Sequence, residues 1–374
     1  MSNCNFNFLV WNVRGLNDRG RRDSVRTVVA DARCSVVCLQ ETKLDAISVP
    51  LATQFLGPNL ADFCYLPSIQ TRGGVLLAWD RSVVSCDSHS LGEFSLTARL
   101  SFCDGNSCWI TVVYGPQPDA DKVRFLQELR DTRSTRDGPW MVVGDFNLIY
   151  QDQDKNNSNL NRRMMGRFRR AINDLALNEL HLNGRSFTWS NGWEHPTLER
   201  LDRIFVTSDL EELFPQSFLK ALPSVISDHC PLLLSTLPSL PAKGRFRFEN
   251  FWCKLEGFEE VVQEAWSADC RLQDPISRLD FKLRSTGRAL QSWSDKKVGN
   301  VKLQLEMARE LIGRVDRMEE SRGLSGQERF LHRELKRKYL ALASLERTMA
   351  RQRTRISWLR EGDANTRYYH QHAA

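Results

Sequence analysis

The chain reads as an α/β protein, two stacked mixed sheets flanked by helices, with an α-helical extension at its carboxyl end. Three observations lead there. Over residues 1–237 short apolar runs bounded by turn residues outnumber helical stretches. The two kinds alternate irregularly instead of in a repeating strand–helix order, which favours layered sheets. Beyond the punctuation Leu237-Pro238-Ser239-Leu240-Pro241-Ala242-Lys243-Gly244 the pattern turns polar, charged and helical. A domain boundary is therefore expected at about 238, dividing 1–237 from 238–374.

In order, Phe6–Trp11 reads as a first strand ending at Asn12. A helix follows, capped at Asp23 or Ser24, with Val25, Val28, Val29 and Ala32 as its apolar face. Ser35–Leu39 reads as a buried strand, and further strands are expected at Gly74–Trp79, Phe94–Phe102 and Cys108–Tyr114. Helices are expected at about 121–131 and 163–177, the second with the face Met165, Phe168, Ile172, Leu175. Phe187–Ser190, a loop at 191–199, and strands at Arg200–Val206, after Pro215 and at Pro231–Leu234 complete the first part. The extension reads as helices at about 258–268, 276–320 and 326–358.

Composition narrows the class. No run approaches the roughly 18 apolar residues of a membrane span, and residues 1–8 resemble no secretory signal. The ten cysteines are scattered, with no histidine at zinc spacing, which favours buried reduced thiols in an intracellular protein. Residues 241–374 hold 27 Lys+Arg against 19 Asp+Glu, whereas the first 240 hold 25 against 27. The positive excess thus sits wholly in the last third, where a polyanion partner or solvated helix faces account for it.

The central stretch is Trp140–Asn147. Trp140-Met141-Val142-Val143 reads as a strand buried on both faces. It ends in Gly144 and then presents Asp145 and Asn147, two residues apart and on one face if the backbone stays extended. An Asx turn closing the strand is the competing reading. Asn12, Glu41, Tyr114 and Asp228-His229 also stand at or just past the ends of expected strands. A site assembled from several strand ends is one way enzymes of this architecture build a cleft. Asp202, inside an apolar strand, needs a partner. His229 would be fixed in orientation by it; Arg200 or Arg203 would make it structural glue instead.

Six blocks carry a family resemblance: Val10-Trp11-Asn12-Val13-Arg14-Gly15-Leu16, Leu39-Gln40-Glu41-Thr42, Val113-Tyr114-Gly115-Pro116, Gly144-Asp145-Phe146-Asn147, Leu201-Asp202-Arg203-Ile204 and Ser227-Asp228-His229. Their types and order over residues 6–235 resemble the endonuclease/exonuclease/phosphatase superfamily, and within it the apurinic-type endonuclease domain of plant non-LTR (LINE-type) retrotransposons. Arg245–Trp252 and Ser357–His370 resemble the connector to the reverse transcriptase in those elements. The resemblance implies a product truncated before that polymerase.

The resemblance further implies a four-layer α/β sandwich that hydrolyses DNA phosphodiester bonds with a divalent ion, Mg²⁺ or Mn²⁺. Glu41 would be the main metal ligand, with Asp228 beside it. Asp145 would act on the attacking water, and Asn12 and Asn147 would position water and phosphate. Tyr114 and His229 would donate to the phosphate, or His229 would serve as base, with Asp202 orienting it. Arg14 stands where the repair branch of the family carries an acid, which weakens the case for a second metal carboxylate.

Thr188 and Trp193 lie on or beside the loop resembling the DNA-facing hairpin of such enzymes; Arg21 and Arg22 would be further phosphate contacts, with a solvated helix start as the equal alternative. The run Arg333–Lys338 reads first as a solvated helix face and second as a nucleic-acid contact. DNA is the expected partner, with no membrane, a monomeric state and a nuclear location. A lipid-phosphate hydrolase and a catalytically silent retroelement remnant are the competing readings.

Overall fold

The computed structural model describes residues 5–69, 73–237, 252–253, 255–268, 274–297 and 301–360. Residues 245–251 and 361–370, which carry most of the connector resemblance, lie outside the described residues.

Strands β1 (Asn7–Asn12), β2 (Val36–Gln40), β3 (Asp62–Leu66) and β4 (Val75–Trp79) open the chain, with helices α1 (Arg19–Ala32) and α2 (Val49–Phe55) between them. Strands β5 (Val84–Leu91), β6 (Ser95–Phe102), β7 (Ser107–Tyr114) and β8 (Trp140–Asp145) follow, with α3 (Asp119–Ser134) ahead of β8. After α4 (Arg162–Asp174) come the short strands β9 (Asn178–Glu179), β10 (Leu182–Asn183), β11 (Trp189–Ser190) and β12 (Leu198–Glu199). Then follow β13 (Asp202–Val206), α5 (Ser208–Leu213), β14 (Phe218–Ala221) and β15 (Leu232–Ser235). Among its described residues the extension carries the helices α6 (Phe258–Ser267), α7 (Pro275–Lys297), α8 (Val301–Arg322) and α9 (Gly326–Arg360).

The strands form a seven-stranded sheet, β10-β14-β15-β1-β2-β4-β3, and a six-stranded sheet, β5-β6-β7-β8-β13-β9, with β11 and β12 as a separate pair. Both large sheets are mixed. Side-chain alternation explains why they stack. On β1, Phe8 and Val10 face the other sheet, where they meet Ile110, Val112, Met141, Val143 and Ile204. Leu9 and Trp11 point the opposite way, onto Val25, Val28 and Val29 of α1 and Phe55 of α2. On the six-stranded sheet Val113, Val142 and Phe205 face outward onto Phe125 of α3 and Phe168 of α4. The result is helix, sheet, sheet, helix, the expected layering, and it explains why residues 140–143 are apolar without alternation.

Differences from the sequence expectation have local causes. Helix α1 begins at Arg19, capped by Asp18, whose side chain accepts from Arg21 N at 3.1 Å, not at Asp23 or Ser24. Its first turn, Arg19-Gly20-Arg21-Arg22, holds no apolar residue, so the periodicity that signals a helix starts a turn late. Strand β5 carries a largely exposed, polar sequence and gives no apolar signal.

The chain forms two compact units. The first comprises Met1–Leu240 together with Arg309–Leu340; the second comprises Pro241–Ala308 and Ala341–Ala374. The extension expected to begin at about 238 therefore contributes Arg309–Leu340 to the unit that contains both sheets. Within that unit Arg309 pairs with Asp31 of α1 and donates to Tyr339 Oη at 3.0 Å. In the second unit Trp293 packs edge-on against Trp252 and Phe258.

Candidate active site

The inward alternation of the strands also delivers the site. Asn12 continues the row Phe8–Val10, Tyr114 the row Ile110–Val112, and Asp145 the row Met141–Val143. Asp202 precedes Ile204 and Val206 on the same face, and in the antiparallel register of β8 and β13 it lies opposite Asp145. Polar groups thus terminate the apolar rows of both sheets at one end of the sandwich. They open into a cleft of about 640 Å³ lined by Asn12, Glu41, Tyr114, Asp145, Asp228 and His229 among others.

His229 is brought there by the turn that follows β14. Ser227 Oγ donates to Asn12 O at 2.7 Å and accepts from His229 N at 3.1 Å, and Trp11 Nε1 donates to His229 O at 3.1 Å. These bonds staple the Ser227-Asp228-His229 turn to the end of β1. The His229 ring then lies with Nδ1 2.8 Å from Asp202 Oδ2, and Nε2 3.4 Å from Asn12 Nδ2 and 3.7 Å from Asp145 Oδ2. Asp145 accepts from Asn12 Nδ2 at 2.9 Å. Asp202 therefore pairs with the histidine. Arg203 pairs with Asp154 and Glu179 and Arg200 with Glu179, so the structural-glue alternative does not hold.

Electrostatics follow from this burial. Burial lowers the His229 pKa, but the carboxylates of Asp202 and then Asp145 outweigh it and raise the group to about 10. Burial raises Asp145, reinforced by Asp202 and opposed by His229, Asn12 and the Asn147 backbone. The Tyr114 hydroxyl is raised by burial and by the neighbouring carboxylates of Glu41 and Asp145, so it is held as a proton donor.

Asp145 and Asn147 do not share a face in the expected way. Asn147 has φ 50°, outside the extended region, and its N donates to Asp145 Oδ1 at 2.9 Å. The Asx turn and the functional placement coexist. Asn147 lines the cleft, but its amide donates to Gly115 O at 2.7 Å and accepts from Gln117 Nε2 at 2.7 Å, so it fixes the β7 and β8 loops. Gly115 must be glycine here: a Cβ would stand 2.0 Å from Phe146 O.

Glu41 also adopts a left-handed backbone, φ 52°, which turns it off the end of β2. Its carboxylate lies 3.0 Å from Lys43 Nζ. A Cβ on Gly73 would stand 2.6 Å from Glu41 Cγ and 2.9 Å from Tyr114 Cε1, so Gly73 leaves room for both side chains. Asp228 Oδ2 is held by the Arg14 guanidinium and by Trp189 Nε1 at 2.9 Å. Arg14 itself has φ 51°.

Acidic side chains gather at the cleft in two groups. Glu41 and Asp228 bring carboxylates to the wall of one cleft. Asp145, Asp202 and His229 bring one donor atom each within 4.8 Å of one another, an arrangement able to hold a metal ion. In the second set the Nδ1 and one carboxylate oxygen already face each other across the 2.8 Å hydrogen bond.

The expected DNA contacts divide. Trp193 is 73% exposed, on the loop joining β11 and β12. Thr188, expected at the DNA, is instead 1% exposed, and its Oγ1 accepts from Leu201 N and Asp202 N, each at 3.0 Å. It clamps the hairpin to the start of β13 and has no surface to offer DNA. Arg21 donates to Val13 O and Arg14 O, and Arg22 to Leu16 O and Asn17 O, so both brace the loop that carries Arg14. Sequence reasoning missed Gly73 and the hold of Trp189 on Asp228. The Gly73-Gly74 pair was a visible cue; the indole contact spans 39 residues and left none.

Residues 9–229 match the Endonuclease/Exonuclease/phosphatase family, and the chain belongs to it. The Transposon TX1 uncharacterized 149 kDa protein of Xenopus laevis is 27% identical over 177 residues, covering 45% of this chain but only 13% of that protein's length. Among solved structures, AP endonuclease LMAP from Leishmania major is similar at 19% identity and a TM-score of 0.49, covering 63% of this chain and 88% of that one. The endonuclease domain of TRAS1, a telomere-specific non-LTR retrotransposon, is similar at 13% identity and a TM-score of 0.47, covering 62% and 98%.

Proposed function

We propose that the chain is a divalent-metal-dependent endonuclease that nicks DNA by hydrolysing a phosphodiester bond, as a retroelement does at its target site. The observation that carries this reading is the buried chain Asn12–Asp145–His229–Asp202 at the floor of a cleft walled by Glu41 and Asp228. Asp145 is a buried carboxylate with raised basicity, suited to take a proton from a water in the cleft, and Asn12 orients its oxygen. The carboxylates of Asp202 and Asp145 raise the His229 pKa, which disposes the ring to carry a proton and to donate to a non-bridging phosphate oxygen. Asp202 fixes the ring and balances its charge. The Tyr114 hydroxyl is a second donor. Mg²⁺ or Mn²⁺, held by Glu41 and Asp228, would polarise the phosphoryl group and stabilise the leaving oxygen.

The retroelement placement is supported by the transposon relative and by the connector-like segments 245–252 and 357–370. On that placement the enzyme works as a monomer on chromosomal DNA, in the nucleus, and the exposed Trp193 lies against the duplex. Offering the protein a labelled DNA duplex and, separately, a soluble phosphoinositide tests the substrate class. Strand cleavage without phosphate release from the lipid supports the reading; release from the lipid with an intact duplex contradicts it.

A further inference from the structure

The first unit contains a second polar cleft, of about 630 Å³. One wall is the β11–β12 hairpin with the turn 224–228; the other is α8 and α9, through Asp316, Glu319, Arg333 and Lys336. Asp228 lines both this cleft and the catalytic one, so the two adjoin there. The helical wall is firmly seated. Arg185 pairs with Asp316 at 2.9 Å and Glu320 at 3.0 Å, Ser186 N donates to Glu320 at 3.1 Å, and Arg329 pairs with Glu194 at 2.8 Å.

The charges facing the cleft are unevenly matched. Asp316 is engaged by Arg185 and by His332 at 3.0 Å, Glu194 by Arg329, and Asp228 by Arg14. Glu319 accepts from Ser190 Oγ at 3.5 Å; burial raises its pKa, opposed by His332 and Lys336. Lys336 and Arg333 line the cleft with no hydrogen bond or ion pair to any described residue. Arg333 is exposed, whereas Lys336 is half-buried; burial lowers its pKa, and the nearby carboxylates of Asp316, Glu319 and Asp228 oppose that effect. A half-buried lysine with carboxylates nearby but none in direct ion pair keeps its ammonium donors available to an anionic ligand in the cleft. In the same run Arg337 and Lys338 are exposed, and Arg337 lies 3.7 Å from Glu334.

We propose that this second cleft binds a backbone phosphate of the nucleic-acid strand flanking the scissile bond, with Lys336 as its inner contact and Arg333 at its mouth. The inference rests on the endonuclease reading and makes the helical segment Arg309–Leu340 a wall of the substrate groove. It separates Lys336 from the solvated face on which Arg337 and Lys338 lie.

The test is binding of the full chain to a fluorescent DNA duplex in EDTA, followed by anisotropy across a salt series. Lys336→Gln is expected to weaken binding and to flatten the slope of log affinity against log salt by about 0.9, the loss of one phosphate contact. Lys336→Arg, which keeps the charge, is expected to keep the slope. Lys338→Gln, the same charge change on the same helix but outside the cleft, is expected to leave it unchanged. Thermal unfolding of each variant alongside reports that it is folded. A slope for Lys336→Gln equal to that of wild type, or a loss shared equally by Lys338→Gln, overturns this inference alone. A wild-type protein with no affinity for the duplex overturns it together with the endonuclease reading.

Discussion

The Nδ1 of His229 lies 2.8 Å from Oδ2 of Asp202, and both side chains are buried at the junction of the two sheets. The imidazole is thereby fixed in orientation and aimed, through Nε2, toward Asn12 and Asp145. Asp202→Asn keeps the shape and removes the charge. It is expected to lower the rate of the chemical step by about 10²-fold or more, with DNA affinity in EDTA little changed. Single-turnover cleavage and anisotropy together check this.

The same pair sets a pH dependence. The folded pKa of His229, about 10, lies above its ordinary 6.5. Its protonated form therefore adds stability that is fully present below about 6.5 and is lost as pH rises through about 10. Wild type is expected to lose stability over that window, and Asp202→Asn to show a shallower loss because its His229 titrates lower. Urea unfolding at a series of pH values checks it, and equal slopes for the two proteins contradict it.

Gly73→Ala tests the room made for Glu41. A Cβ 2.6 Å from Glu41 Cγ and 2.9 Å from Tyr114 Cε1 forces both side chains to shift. Overpacking of this kind costs about 1–3 kcal/mol. Weaker Mn²⁺ binding, read by calorimetry, is expected with the protein still folded. Unchanged Mn²⁺ affinity would separate Glu41 from the metal.

Thr188→Val separates a structural role for that side chain from a DNA contact. It removes an acceptor shared by two backbone donors, Leu201 N and Asp202 N. Leaving buried donors unpaired is expected to destabilise the protein by about 2–3 kcal/mol. DNA affinity in EDTA should be unchanged for the folded fraction. Lost affinity at full stability would restore Thr188 as a contact.

The cysteines give a chemical readout of the core. Burial pushes Cys34, Cys64, Cys108 and Cys230 up to about 12, whereas Cys103 and Cys253 are exposed. Brief alkylation at neutral pH should label the exposed pair, with the buried four slower by about 10³-fold. Peptide mass spectrometry before and after unfolding checks this.

What the sequence made legible follows from the range over which each signal acts. The both-face burial of β8 shows in Met141-Val142-Val143, and strand ends show as polar residues after apolar runs. Those local cues pointed to Asn12, Glu41, Tyr114, Asp145 and His229, which line one cleft, and Asp202 lies behind His229. Contacts made only by the fold left no local trace. Arg14 meets Asp228 across 214 positions, and Lys336 faces the turn at 224–228 from a helix that looked like a solvated extension. Thr188 and Asn147 have backbone partners that no short stretch of sequence announces. Each carries a polar group at a strand end, and in each case the backbone claims that group first. The cap of α1 at Asp18 was missed because a cap is legible only when apolar residues follow within its first turn.

The measurement that bears most directly on the whole account is nicking of supercoiled plasmid by the purified chain in Mg²⁺, in EDTA, and with Glu41→Ala in Mg²⁺. The account predicts conversion to open circle in Mg²⁺ only, lost in the variant. A folded wild-type protein that leaves the plasmid supercoiled, or one that nicks it equally in EDTA, contradicts it.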